Sequence, residues 1–311
     1  GGRRAWVWAV AIGGGLALLG LLVAGAALLA SFAVTKEGPV FGPSVGLVEI
    51  SGLIATEGER GLFGGMAGAR AITKQLRRAM EEDEIRAVVL RINSPGGTAA
   101  ASQEIYRAVM RLRRKKPVVA YLGDMATSGA YYVASAADVI VASPATLTGS
   151  IGVIMELVDL SGLMRKLGVR AFTVKSGKFK DTGSLFRPPT PEERALLKAL
   201  VMDVYDQFVR DVARGRGMPV EKVRAIADGR LLTGRMARAH GLVDVLGTYE
   251  DAVRIAAKRA GIKGKPRVVR LAPRRLSLLD LLLSEGWGEA AGPLVTFLLT
   301  PVKLLPPVLA R

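Results

Sequence analysis

Three short stretches of this 311-residue chain hold residue types suited to covalent chemistry. In "MATSGAYY" (125–132), Ser128 precedes a glycine at the start of a helix-like run. A hydroxyl there sits at the positive end of a helix dipole, which favours an anion developing on it. The same position is a preferred N-cap, where the hydroxyl is spent on a backbone amide, so residue type alone leaves both roles open. A nucleophilic serine also needs a base. The usual one is histidine, and the chain has a single histidine, His240, and no cysteine. His240 would need an orienting carboxylate to complete a triad, and Asp244 is the near one in sequence.

The second stretch is "RINSPGGTAA" (91–100), a strand-like run that enters Ser-Pro-Gly-Gly and then a helix. Paired glycines let the backbone turn freely and approach a ligand closely. Their N–H groups can stabilise a carbonyl oxygen as it becomes an oxyanion, although a plain turn needs the same residues. The third stretch, "VKSGKFKDTGSLFRPPTPEE" (174–193), places Lys175, Lys178 and Lys180 in a Gly/Ser-bearing loop. A lysine is a base only when neutral, and its ordinary pKa is about 10.4. Burial among apolar groups lowers that value, and a desolvated lysine beside a serine hydroxyl activates it.

The segments that must position these residues alternate in period. "SVGLVEISGLI" (44–54), "AVVLRINS" (87–94), "PVVAYLG" (117–123) and "VIVAS" (139–143) read as strands. Between them, "ARAITKQLRRAMEED" (69–83) repeats apolar residues at Ala69, Ile72, Leu76 and Met80, a helical spacing. "TAAASQEIYRAVMRLRRKK" (98–116) does so at Ile105, Val109 and Leu112, and 127–137 reads as a further helix. Repeated strand–helix–strand units predict an α/β fold with a mostly parallel sheet. Thr190, Pro191 and Glu193 form a capping box with proline at the first helical position. They open a long helix (190–217) whose stripe Leu197, Val201, Val204, Phe208 and Val212 reads as core. Two more helices are expected over 218–228 and 248–261.

Half of the residues are hydrophobic and the mean hydropathy is +0.30. The run Ala5–Val34 has no charged residue, and about 20 apolar residues span a bilayer core. Arg3 and Arg4 precede it, so the N-terminus is expected inside and the remainder outside. The run is too long for the apolar region of a cleaved signal. The expected organisation is an anchor over 1–35, a Gly/Pro linker over 36–44, an α/β domain over 45–272 and an apolar tail over 273–311. The tail carries Asp280, Glu285, Glu289 and several prolines, which argues against a second span. The expectation for it is membrane association, subunit packing or disorder.

The net charge is +17, and nine basic residues fall within 254–275. Aromatic residues make up 5%, with no stacking motif or finger among them. The basicity is therefore read as attraction to anionic lipid or as a solvated face, and no nucleic-acid partner is expected. Lack of cysteine excludes disulfides and thiolate metal sites, and neither metal nor cofactor is expected.

"RINSPGG", "DMATSGAYYVASAAD", "TLTGSIGV", "KSGKFKDTGS", "GRGMP" and "ADGRLLTGRMARAHGLVD" occur in this chain. In order and spacing they resemble the bacterial signal peptide peptidase A family in its short, single-domain form, over roughly residues 45–250. The resemblance implies a crotonase/Clp protease-like fold and a Ser/Lys dyad, with Ser128 as nucleophile and Lys180 as general base. It further implies that Ser150 orients the lysine and that the amides of Gly97 and Gly129 form the oxyanion hole, with Gly96 shaping the same turn. Ala130 stands where many relatives have a second glycine. The substrates implied are residual signal peptides and other unfolded apolar peptides, cleaved at the bacterial inner membrane by a single-pass protein. The implied assembly is a homo-oligomeric ring in which serine and lysine come from adjacent subunits. Two other readings are carried: an acyl-CoA enzyme of crotonase type, whose pocket should present acid/base carboxylates, and a catalytically inactive membrane scaffold.

Overall fold

Parallel strands buried on both faces build the centre of the molecule. The computed structural model describes residues 42–57, 60–61 and 64–271, together with the isolated positions 15, 20 and 25. Apart from those three glycines, the expected anchor lies outside the described residues, as does the tail over 273–311. Among the described residues no helix is long and apolar enough to cross a membrane.

The main sheet takes strands β1 (Ser44–Ser51), β5 (Ile85–Ser94), β6 (Val118–Thr127), β7 (Val139–Ala142), β10 (Val245–Leu246) and β11 (Arg267–Arg270). They lie in the order β10-β7-β6-β5-β1-β11 and every neighbouring pair is parallel. β8 (Leu147–Gly149) pairs in parallel with the end of β6, and β9 (Leu231–Thr233) pairs antiparallel with β8. The fold is α/β with a mostly parallel sheet, as the alternating pattern predicts.

Alternation along each strand divides the core in two. Val48, Ile50, Leu90, Ile92, Ala120 and Leu122 face one side of the sheet. There they meet α1 (Ala69–Glu81), α2 (Ala99–Leu112) and α3 (Gly129–Ala134). Val45, Leu47, Val89, Val119 and Val141 face the other, against α8 (Tyr249–Arg259). On α1 the buried residues are Ala69, Ile72, Leu76 and Ala79, with Met80 half-buried at the edge. On α2 the expected Ile105, Val109 and Leu112 are all buried. Leu76 is closed in completely, and truncating such a leucine to alanine costs about 2–5 kcal/mol.

Two expectations are corrected. The run 44–54 is not one strand. It breaks at Gly52, whose φ is +80°, a conformation that glycine adopts without a Cβ penalty. After the break, β2 (Leu53–Ala55) leaves the main sheet. It pairs with β4 (Gly64–Gly68), which pairs in turn with β3 (Arg60–Gly61). The second correction concerns the long helix α5 (Pro191–Arg216). Its C-terminal half is core, through Phe208, Val209, Val212 and Ala213. Leu197, Val201 and Val204, expected as core, are only half-buried. That half of the helix carries an arm, residues 152–190, in which Phe172 and Val174 are 90% and 91% exposed. The remaining helices are α4 (Ser161–Lys166) in that arm, α6 (Val220–Arg224) and α7 (Gly234–Ala239).

Candidate active site

β6 ends on Thr127, α3 begins on Gly129, and Ser128 is the single residue between them. A turn that sharp forces unusual backbone angles, and Ser128 has φ 52° and ψ −123°. Only two described non-glycine residues have positive φ, and the other is Ser150, at 50°. Such conformations cost on the order of 1–3 kcal/mol and persist where the surroundings over-determine them. Here the surroundings are explicit. The Ser128 amide donates to the Gly149 carbonyl at 2.9 Å, and the Ser150 amide donates to the Arg230 carbonyl at 2.8 Å. Thr127 and Gly149 are register partners in the β6–β8 pair. The two serines therefore follow directly from paired positions at adjacent strand ends. Ser128 occupies the N-cap position of α3, yet its side chain makes no capping bond. The N-cap role is excluded, and the hydroxyl is left for other chemistry.

The Pro95-Gly96-Gly97 turn packs against this corner. Ile54 brackets it, donating its amide to the Gly96 carbonyl at 2.7 Å and receiving the Thr98 amide at 2.9 Å. Gly96 donates to Ser94 Oγ at 3.1 Å, and the Thr127 hydroxyl donates to the Pro95 carbonyl at 2.9 Å. The approach tolerates no side chain. A Cβ on Gly97 would lie 1.9 Å from the Ile54 oxygen, and one on Gly96 would lie 2.8 Å from the Gly129 nitrogen. A Cβ on Gly129 would sit 3.1 Å from the Gly97 nitrogen, so the two amides are neighbours. Neither donates to another group among the described residues. Two free amides beside a serine hydroxyl are what stabilising an oxyanion requires.

Gly97, Ser128, Gly129 and Ser150 line one cleft of about 720 Å³. Its apolar wall includes Val201, Val204, Tyr205 and Phe208 of α5, with Ile154 and Tyr132. Tyr132 stacks on Phe208 at 4.4 Å between ring centroids and donates to Asp211 Oδ2 at 2.6 Å. Burial, then that hydrogen bond, pushes the Tyr132 phenol above its ordinary range, so it stays protonated. The carboxylate in the lining is Asp228. Its hydrogen bonds to Arg230 hold it down to about 2, so it stays ionised and offers no general acid.

The lysine loop lies elsewhere. Lys180 is exposed and does not line the cleft of its own chain, so the structure does not bring it to Ser128 within one copy. It does separate the three lysines chemically. Lys175 Nζ is 2.6 Å from Asp181, and Lys178 Nζ is 3.5 Å from Glu192. Among the described residues Lys180 has no such partner within ion-pair distance. His240 is the C-cap residue of α7. Its prospective partner Asp244 is committed to Arg216, with Nη1 at 2.9 Å, and to the Ile140 amide at 2.7 Å. The histidine triad is not formed.

Sequence reasoning did not single out Ile54, Tyr132 or Tyr205, and read Phe208 only as core. Tyr132 follows Ser128 by one helical turn, a spacing that places it on the same side of α3. Ile54 acts through its backbone and leaves no side-chain signal.

A strained serine, two free amides and an apolar cleft at the ends of parallel strands define a serine hydrolase of α/β type. Comparison with known proteins makes the class specific. The model of peptidase family S49 matches residues 110–263, and that of the Clp protease family matches 65–146. A protein of Synechocystis sp. named as a protease is 43% identical over 215 residues, covering 69% of this chain and 74% of that protein. One of Methanocaldococcus jannaschii, also named as a protease, is 40% identical, covering 68% of each. An Enterococcus faecium protein named as a signal peptide peptidase is 38% identical, covering 66% of this chain and 60% of that protein. This chain belongs to peptidase family S49 and has the Clp protease/crotonase-like fold. It is a serine peptidase of a family that works with a Ser–Lys dyad, which sets aside the acyl-CoA and scaffold readings.

Proposed function

We propose that the chain is a membrane-anchored endopeptidase of the short signal peptide peptidase A type, acting on residual signal peptides and other unfolded apolar peptides. Ser128 is the nucleophile. Lys180 of a neighbouring copy is the general base, Ser150 orients it, and the amides of Gly97 and Gly129 receive the oxyanion. The observation that carries the reading is the corner at Ser128: a strained, uncapped serine in one cleft with two free amides and Ser150.

Neutral Lys180 takes the Ser128 proton, and Oγ attacks the peptide carbonyl. The proton passes to the leaving amine, and water then resolves the acyl-enzyme. An open apolar wall favours apolar side chains in the substrate. A shared dyad accounts for Lys180 lying outside its own cleft while Phe179, Leu185 and Phe186 beside it are exposed. Seating that apolar surface on a second copy both buries it and dries the amine. The uncharged run Ala5–Val34 supports the anchor, and with Arg3 and Arg4 ahead of it the catalytic domain faces outside the inner membrane. The mechanism calls for neither metal nor cofactor. A homo-oligomeric ring and anionic lipid are the expected associations.

The test is covalent labelling of the detergent-solubilised full chain with a fluorophosphonate, followed by peptide mapping. The expected result is one modified residue, Ser128, with labelling strongly slowed in Lys180→Ala. Labelling at another serine, or at an unchanged rate in Lys180→Ala, overturns the assignment.

A further inference from the structure

The loop that holds Lys180 carries a charge network that the dyad chemistry does not itself require. Asp181, the next residue, is the carboxylate best placed by sequence to capture the Lys180 ammonium. It is already taken on both sides. Lys175 Nζ donates to Oδ1 at 2.6 Å, and Arg187 Nε donates to Oδ2 at 2.9 Å. The same guanidinium reaches on to Glu193, with Nη1 to Oε2 at 2.8 Å and Nη2 to Oε1 at 2.6 Å.

Glu193 is fixed in its turn. Its side chain is 2% exposed, in the first turn of α5. It accepts the Thr190 amide at 2.8 Å and the Thr182 hydroxyl at 3.3 Å. Two carboxylates meet two cations, so the network is balanced and leaves no spare anion toward Lys180. It also ties the loop to a helix whose other end is core. A bidentate guanidinium fixes direction as well as distance, which a lysine at the same place does not.

We propose that Arg187 is a positioning residue for Lys180, holding its loop on the first turn of α5 and keeping Asp181 from pairing with the Lys180 amine. The inference rests on Lys180 being the base. Without Arg187, Asp181 keeps Lys175 on Oδ1 while Oδ2 loses its partner and turns to the neighbouring Lys180. The amine is then held as an ammonium and displaced from the line to the serine hydroxyl.

The test uses the full chain in detergent and a fluorogenic apolar peptide, with kcat and KM resolved across pH. The groups whose charges bear on the profile are Asp181, Glu192, Glu193, Lys175, Lys178 and Arg187. Arg187→Gln is expected to lower kcat by tenfold or more at neutral pH, to leave KM within about twofold, and to move the rising limb to higher pH. Adding Asp181→Asn to Arg187→Gln is expected to return most of the lost kcat and the limb. A purely structural role for Arg187 predicts no such recovery. A double variant no better than the single one, or wild-type kcat in Arg187→Gln, overturns the inference. If Arg187→Gln does not assemble, Arg187→Lys decides. It keeps the charge without the fork and is expected to show a smaller loss that Asp181→Asn again relieves, whereas a loss unaffected by Asp181→Asn counts against the proposal. Lys180→Ala separates the layers. If it remains active, the base assignment itself fails; if it is inactive while Arg187→Gln behaves as wild type, only the positioning role fails.

Discussion

Ser128 and Ser150 stand at the ends of neighbouring strands, coupled by the hydrogen bond from the Ser128 amide to the carbonyl of Gly149, the residue before Ser150. Both adopt a positive φ, and both hydroxyl-bearing residues line the same cleft. The register of β6 against β8 thus sets where a base must arrive to touch both. Ser150→Ala is expected to lower kcat by about 10–100-fold through a disordered base, less than the roughly 10²–10⁴-fold contributed by a general base as a whole. Fluorophosphonate labelling of Ser128 should slow in parallel, and labelling at the wild-type rate would count against the role of Ser150.

Strain at Ser128 predicts a stability difference opposite to the activity. Ser128→Gly and Ser128→Ala are both expected to be inactive. Glycine relieves an unfavourable φ/ψ that costs about 1–3 kcal/mol, offset by about 0.5–1 kcal/mol of lost chain entropy. Ser128→Gly should therefore melt roughly 2–4 °C above Ser128→Ala for a domain of this size. Equal melting temperatures would limit the strain to about the 0.5–1 kcal/mol entropic offset.

The glycine turn gives a steric prediction. Alanine at 97 drives a Cβ into the Ile54 backbone, which cannot yield cheaply. Gly97→Ala is expected to lose about 10²–10³-fold in kcat, the usual cost of one oxyanion donor, together with thermal stability. Gly129→Ala clashes chiefly with a side-chain atom, the Ser102 hydroxyl at 2.3 Å. Its defect should therefore be partly suppressed by Ser102→Ala, whereas no single side-chain truncation should suppress Gly97→Ala. Activity assays and melting curves on Gly97→Ala and Gly129→Ala, each with and without Ser102→Ala, check both statements.

Acid should unlock the lysine arm before the core. Hydrogen bonds from Arg187 hold the Glu193 carboxyl at about 2, below its ordinary 4.5, and hold Asp181 below its ordinary 3.8. For a depressed carboxylate, the stabilisation is fully present above the unfolded pKa and is lost as pH falls through the folded one. Amide protection in residues 175–193, taken relative to intrinsic exchange rates, is expected to fall between about pH 4.5 and 2. Arg187→Gln, which lacks the depression, should show no such step in protection across the same window. Protection unchanged across that window in the wild type would show that the network contributes nothing to the arm.

His240→Ala is expected to retain wild-type kcat, because its carboxylate partner is occupied. Asp244→Asn is expected to cost about 1–3 kcal/mol, since it weakens the bonds of Arg216, whose side chain is 5% exposed. Peptidase assays and denaturant melts distinguish the two.

Much of this was legible in local sequence, for identifiable reasons. The strand and helix periods of 69–142 follow from side chains that contact near neighbours in the chain. The capping box at Thr190 and Glu193 is written in four consecutive residues, and it is formed. Residue type marks Ser128 and the Gly96-Gly97 turn as candidates only, each with a plain structural role still open, and the uncapped corner with its free amides is what separates the two. What required tertiary structure was of another kind. Ser150 becomes a partner of Ser128 only through the β6–β8 register. The half-buried face of α5 reads as core because an apolar stripe looks the same whether it meets the sheet or lines a cleft. Arg187 sits six residues from both Asp181 and Glu193, and nothing in that spacing shows that a loop folds back to bring all three together.

The central claim is that serine and base come from different copies, and subunit mixing tests it most directly. Ser128→Ala and Lys180→Ala chains are purified separately, mixed, dissociated and reassembled, then assayed on an apolar peptide. Each parent alone should be inactive. Random head-to-tail assembly leaves both groups intact at about a quarter of the interfaces, so the mixture should recover about a quarter of wild-type activity. A mixture as inactive as its parents, from rings that reassemble with wild-type size, would contradict a dyad shared between subunits.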